Sequence, residues 1–360
     1  MNSRRSLLTL SAAAVAAVLF LALAGGPARA AAVPGEAPES GAALEGRWTL
    51  DFDREDGRVQ LSMERRSGSH HSQSSSPYQP SDFRDLRRPA GGAEVPARFT
   101  LVRDAGTFSF DGHLDSSGGS GRFRFAGNPE FERAWNASSR GELSREQVFS
   151  MALHDVSLAF LRDLHALGYD DLSANKLIAM RIHGVTTEEI RDLQSLGYGK
   201  LSADRLVAFR IHGVTPAMIR ELSSQGYERI SPDQLVAMRI HGATPEYVRE
   251  LASLGYRRIP ADELVSMRIH GVSPEYVKDF ASLGYKELSP ESLVSMRIHG
   301  VSPEYVREVS QLGYRNVSVE NLVSMRIHDV STDYIRRVQA RDRNVSIDEL
   351  VSRRIHGRAE

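Results

Sequence analysis

Residues 244–272 read TPEYVRELASLGYRRIPADELVSMRIHGV, and this stretch holds two sets of helix signals. Thr244 is an N-cap, Pro245 suits the first turn, and Glu246 sits on the positive end of the helix dipole. Gly255, after Leu254, is free to take the left-handed conformation that ends a helix. The second start is clearest in neighbouring copies, as Ser231-Pro232-Asp233 and Ser289-Pro290-Glu291, and the stop is His241-Gly242 or His299-Gly300. Helices of about ten residues do not persist alone in water, so they must be held by neighbours.

Outward from this stretch the same pattern recurs in both directions. His154, His183, His212, His241, His270, His299 and His328 are each 29 residues apart, and His356 follows after 28. Units begin at Asn128, Ser157, Thr186, Thr215, Thr244, Ser273, Ser302 and Ser331. The first and last lack the Leu-Gly-Tyr signature, as terminal caps of an array do. The expected fold is mainly α: a solenoid of eight two-helix repeats over 128–358, preceded by a small antiparallel β domain.

Spacing assigns roles within each unit. Tyr247, Val248, Leu251 and Leu254 form the expected core of the first helix. In the second, Leu264, Val265, Met267 and Ile269 span roughly 200° of the wheel at about 100° per residue and are read as core. The Tyr after each Gly (Tyr169, Tyr198, Tyr227, Tyr256, Tyr285, Tyr314) is expected to pack across the inter-helix turn. Arg181, Arg210, Arg239, Arg268, Arg297 and Arg326 fall inside the apolar arc and need partners. Glu246, Glu275 and Glu304 are the obvious ones, making a repeated buried ion pair; the alternative is a row of Arg awaiting an anionic ligand. His183, His212, His241, His270, His299 and His328 stand before the helix-ending position, where imidazole can cap free carbonyls. They are not read as a metal site. Zinc takes three or four ligands at about 2 Å, whereas packed helices lie about 10 Å apart.

Residues recurring in every unit are expected to serve folding, and residues that vary to read a ligand. Variable positions cluster after the Tyr, at Gly199-Lys200, Glu228-Arg229, Arg257-Arg258, Lys286-Glu287 and Arg315-Asn316, and at Gln194, Ser223, Ala252, Ala281 and Ser310. Lys200, Arg229, Arg257, Arg258, Lys286 and Arg315 are the candidate partner-binding edge.

Upstream, over 44–127, the period becomes two. Trp48, Leu50 and Phe52 alternate with polar residues, as do Val59, Leu61 and Met63, then Phe99 and Leu101, Phe108 and Phe110, Phe123 and Phe125. Half-buried strands read this way, and five or six are expected. Asp104-Ala105-Gly106 and the glycine-rich 115–121 mark turns. Residues 67–81, rich in Ser, His and Pro, are expected to form a mobile loop. His70, His71, His113, Asp111 and Asp115 fit no metal or catalytic spacing. With no P-loop, nucleophile elbow or His-Glu-x-x-His in the chain, no catalytic residue and no cofactor are expected.

The 360 residues carry 45 basic and 46 acidic side chains and no cysteine. Disulfides and thiolate chemistry are thereby excluded, and no basic footprint for nucleic acid exists. Residues 1–30 read as a signal peptide: Arg4 and Arg5, an apolar run from Leu7 to Ala24, then Ala28-Arg29-Ala30. Cleavage would leave Ala31 as the mature terminus; an uncleaved leader would anchor the chain in a membrane. Ser3 to Leu8 also looks like a twin-arginine signal. Residues 31–43 read as a linker.

LVAMRIHGATPEYVREL (235–251) and FTLVRDAGTFSFDGHL (99–114) resemble segments of uncharacterised exported proteins of soil bacteria such as Acidobacteria and Gemmatimonadetes. Similar arrays follow the membrane peptidase domain of BlaR-like sensors. The resemblance implies an envelope location and a sensing or docking role; this chain has no peptidase motif. The expected function is a non-enzymatic periplasmic or secreted module that binds a protein or peptide. The alternatives are an anion- or pH-responsive sensor and an envelope hydrolase.

Overall fold

The computed structural model describes residues 44–52, 56–67, 70–138 and 141–357. The expected signal peptide and linker lie outside the described residues, as do the side chains of His70 and His71.

Seven antiparallel strands come first: β1 (Leu44–Asp51), β2 (Val59–Ser67), β3 (His70–Tyr78), β4 (Phe83–Arg84), β5 (Val95–Arg103), β6 (Gly106–Leu114) and β7 (Gly118–Gly127). Their order in the sheet is β3-β2-β1-β7-β6-β5-β4, so two meanders meet where β1 pairs with β7. The alternating apolar residues fill one face, with Trp48, Leu61, Leu101, Phe108, Phe110 and Phe123 all buried. The sheet curls until its two edges touch, the Tyr78 and Phe83 rings standing 5.5 Å apart. Glycines permit that curl. Gly112 and Gly121 are paired across β6 and β7, and a Cβ on either would strike the neighbouring strand's backbone.

Two expectations need correction here. Residues 67–81 are not a loop: His70–Tyr78 is edge strand β3, in register with β2 from Val59↔Tyr78 to Ser67↔His70. Its sequence hides this because, apart from Tyr78, this outer strand sends no described residue into the core and so needs no apolar alternation. Backbone pairing and polar contacts such as Ser62–Ser75 hold it instead. The glycine-rich 115–121 is only partly a turn. Asp115 closes it by accepting from the Ser117 and Gly118 amides, and the glycines from Gly118 onward belong to β7.

Sixteen helices follow among the described residues. The first six are α1 (Pro129–Asn136), α2 (Arg145–Leu153), α3 (Leu158–Ala166), α4 (Ala174–Ile182), α5 (Thr187–Leu193) and α6 (Ala203–His212). Next come α7 (Pro216–Ser224), α8 (Pro232–His241), α9 (Pro245–Ser253), α10 (Ala261–Ile269) and α11 (Pro274–Ser282). The last are α12 (Pro290–Ile298), α13 (Pro303–Gln311), α14 (Val319–Ile327), α15 (Thr332–Gln339) and α16 (Ile347–Ile355). The starts are those the sequence marks: Thr244 accepts from the Tyr247 amide, Ser231 from Gln234, Ser289 from Ser292. Gly255, at φ 98°, ends α9.

From α2 onward each helix packs on its second neighbour. The even-numbered helices form one row from α2 to α16, and the odd-numbered ones a second row from α3 to α15. This is a helical, repeat-like arrangement with two buried seams. Leu264 and Met267, and their counterparts one period away, are fully buried in the even row. Tyr247, Val248 and Leu251 are buried in the odd row.

Sheet and helices share one core. Phe149 of α2 enters the mouth of the curled sheet, its ring 5.2 Å from Phe108 and 5.2 Å from Phe125. Arg65, itself buried, stacks 4.5 Å over Phe149 and reaches the Glu146 carboxylate with two nitrogens at 2.8 and 2.7 Å. Hydrogen bonding to Arg65 holds the Glu146 carboxyl below the usual carboxylate range.

Candidate functional site

The recurrent side chains take partners the sequence did not name. The Arg row forms no ion pair with Glu246, Glu275 or Glu304, which are exposed. Instead, Nε of Arg181, Arg210 and Arg239 donates to the carbonyls of His154, His183 and His212, each at 3.2 Å. Those carbonyls close the preceding even-numbered helix, where a cation also suits the negative dipole end. The guanidinium lies over an aromatic ring: Arg268 over Tyr247 at 4.9 Å, Arg297 over Tyr276 at 4.6 Å, Arg326 over Tyr305 at 5.0 Å. In Arg268 and Arg326 the buried Nε itself has no partner. Carboxylates meet the row at Arg210 (Glu189, 3.7 Å) and where Asp replaces the helix-ending Gly: Asp155 faces Arg181 at 3.3 Å, Asp329 faces Arg354 at 2.7 Å.

The same finding corrects the His ladder. At His154, His183 and His212 the carbonyl open to capping is met by the next unit's Arg, because the guanidinium reaches across the stack. Among the described residues, ring-to-carbonyl bonding is found only at the C-terminal end, His356 Nδ1 lying 2.8 Å from the Ser352 oxygen. His154 is half-buried, and desolvation, then the Arg181 charge, push its pKa down. No group of three or more His, Asp or Glu among the described residues is arranged to hold a metal ion. His113 is exposed on β6, and Asp111 pairs with Arg98 at 2.8 Å on the exposed sheet face.

The Tyr after each Gly reaches beyond its turn. Its hydroxyl donates to a carbonyl of the following unit: Tyr169 to Leu201 at 2.7 Å, Tyr198 to Ile230 at 2.9 Å, Tyr285 to Val317 at 2.8 Å. The residue before the acceptor carries positive φ at Arg229, Arg258, Glu287 and Asn316, between 53° and 58°. Such a left-handed residue costs about 1 kcal/mol, and four successive turns carry one. In exchange, the turn offers its carbonyl to the neighbouring Tyr.

The candidate edge is exposed throughout: Lys200, Arg229, Arg257, Arg258, Lys286 and Arg315 all face solvent. Three of them meet. Arg257, Arg258 and Lys286 rim a groove of about 660 Å³ between two successive turns, with Tyr256, Tyr285, Val277 and Leu288 on its walls. Lys200, Arg229 and Arg315 stand on other turns, Lys200 lying 5.4 Å over the Tyr169 ring.

Sequence reasoning missed the largest feature. Ile269, an expected core position by its place on the wheel, is 40% exposed, and its equivalents Ile182, Ile211, Ile240, Ile298, Ile327 and Ile355 range from 44% to 55%. Of the ten exposed large hydrophobic residues described, seven are this one position. The wheel explains the error. Leu264 and Met267, at about 0° and 300°, face the core, and Ile269, at about 140°, stands nearly opposite them. The signal that could have found it is an apolar residue recurring far from the centre of the arc. On the same face, seven residues earlier and about 10 Å down the axis, stand Asp262, Glu291 and Glu320. Half-buried Val265 and Ser266 lie between, so the even row presents a shallow trough with one apolar wall and one acidic wall. No family model and no curated protein matches this chain.

Proposed function

We propose that the protein is a non-enzymatic interaction module of the cell envelope, a solenoid of eight 29-residue units whose even-numbered helices bind a protein or peptide. The exposed isoleucine row carries this reading. Single exposed hydrophobic residues are ordinary, but seven at the same position of successive units form a regular row, and aligned apolar exposure of this kind supports an interaction surface. Covering a half-exposed Ile is worth about 1 kcal/mol. The row thus offers on the order of 7 kcal/mol before the costs of association, enough for a regulated, reversible partner. The even-numbered helices contact one another more extensively than the odd-numbered ones, which supports the even row as the inner, concave side, where solenoids hold partners. The basic groove at Arg257, Arg258 and Lys286 is a second contact. The envelope location rests on the signal-like residues 1–30 and on the resemblance to exported proteins. No helix among the described residues is long and apolar enough to cross a membrane.

The test is capture from an envelope extract with the whole mature chain, wild type against the triple variant Ile240→Ser, Ile269→Ser, Ile298→Ser. A partner held by the wild type and lost by the equally stable variant is expected. Equal capture by both would sink the row as the binding surface.

A further inference from the structure

We propose that the trough on the even-numbered helices takes an extended peptide in polyproline II conformation, with an apolar residue at every third position and basic residues beside it. The inference rests on the row being a binding surface and goes on to name its occupant.

A packing rule and an observed charge pattern select the occupant. The first is spacing. Packed helices stand about 8–10 Å apart, so Ile240, Ile269 and Ile298 repeat at that interval along the stack. Polyproline II rises about 3.1 Å per residue with three residues per turn, hence about 9.3 Å per turn. It is the extended conformer that returns the same side chain to each successive unit. A β-strand alternates faces every second residue and falls out of step. The floor leaves room for a backbone lying close, because a small residue recurs in it beside each valine: Ala208, Ala237, Ser266, Ser295 and Ser324, one per unit, each half-buried.

The second is charge complementarity. At the N-terminal end the acidic wall is already neutralised, Asp204 by Lys176 at 3.2 Å and Asp233 by Arg205 at 2.7 Å. From α10 onward it is not. Asp262, Glu291 and Glu320 are exposed carboxylates, and no cation pairs with them. Glu263 shows the resulting negative field: burial, then Glu291 and Asp262, push its carboxyl up. A partner lying in the trough therefore places apolar side chains on the isoleucine wall and lysine or arginine on the acidic wall, over α10 to α14.

The probe is a labelled 15-residue peptide, (Lys-Pro-Leu)5, titrated into the whole mature chain by fluorescence anisotropy. At about 3.1 Å per residue it spans about five units. Two controls carry the specificity: (Glu-Pro-Leu)5, and a peptide of the same composition with the threefold spacing scrambled. Binding of (Lys-Pro-Leu)5 at least tenfold tighter than either control is expected. A tenfold loss is expected with Ile269→Ser plus Ile298→Ser, and again with Asp262→Asn plus Glu291→Gln. Equal binding of the acidic or scrambled peptide, binding that survives both variants, or no binding would each overturn the proposal. So would self-association of the chain abolished by the isoleucine variant, which would give the row to a second copy. An envelope partner that depends on the isoleucines while the peptide fails to bind would overturn the named occupant and leave the interaction surface standing.

Discussion

Replacing Arg268 by Met separates the two accounts of the Arg row by magnitude. A buried ion pair broken at one partner costs about 3–5 kcal/mol, because the other charge is stranded. Arg268 has no such pair. What Arg268 loses is a guanidinium 4.9 Å over the Tyr247 ring, worth about 0.5–1 kcal/mol at a partly exposed site. It also loses a cation at the end of α8, one terminal nitrogen standing beside the helix-ending Gly242, worth about 0.3–1 kcal/mol. Met keeps much of the aliphatic stem, so the sum is about 1–2 kcal/mol. Helical arrays do not melt as a single cooperative unit, and a local readout is therefore needed. Amide hydrogen exchange in α8 and α10 should speed up roughly 5- to 30-fold, at about 1.4 kcal/mol per tenfold. Glu275, the carboxylate that senses Arg268 only weakly, should be replaceable by Gln with no change. Acceleration beyond about 100-fold in Arg268→Met, matched in Glu275→Gln, would restore the ion pair; none in either would remove the row from the stability of the stack.

Three further outcomes are expected. Phe149→Ala empties the mouth of the sheet and should cost about 3–5 kcal/mol in urea unfolding; a loss below about 1 kcal/mol would mean that sheet and helices do not depend on this ring. Gly271, at φ 72°, should accept Asp, which already stands at the equivalent Asp155 and Asp329 with φ 54°, whereas Gly271→Val should lower thermal stability clearly; equal melting of the two variants would refute the argument. His154 has a folded pKa below its unfolded value of about 6.5, so its stabilising contribution is present above that value and is lost as pH falls from there through the lower folded value. The slope of stability between about pH 7 and 5 should flatten in His154→Gln, and an unchanged slope would assign it elsewhere.

The parts of the fold legible in the sequence are those governed by local chemistry. Capping by Thr244 or Ser231 and the left-handed stop at Gly255 are settled within one turn of the chain, so the helices and their 29-residue period could be read residue by residue. The inward faces of β1, β2 and β5 to β7 were equally plain, since one buried face imposes alternation. Strand β3 was not, because an edge strand held by its neighbour's backbone carries no such demand. In the candidate site, the turns with Arg257, Arg258 and Lys286 were found from variation alone, and the groove between them needed the stack.

What the chain alone determined, then, is where each helix starts and stops and which residues recur at one spatial interval. Tertiary structure decided what those residues touch. Arg239 reaches the His212 carbonyl and Tyr198 the Ile230 carbonyl across 27 and 32 residues of chain, and no local rule identifies such partners. It also decided that Ile269 and its equivalents face outward. A wheel angle fixes where a side chain stands around its own helix; burial depends on which directions neighbouring helices occupy, and at about 140° from Leu264 none of them does.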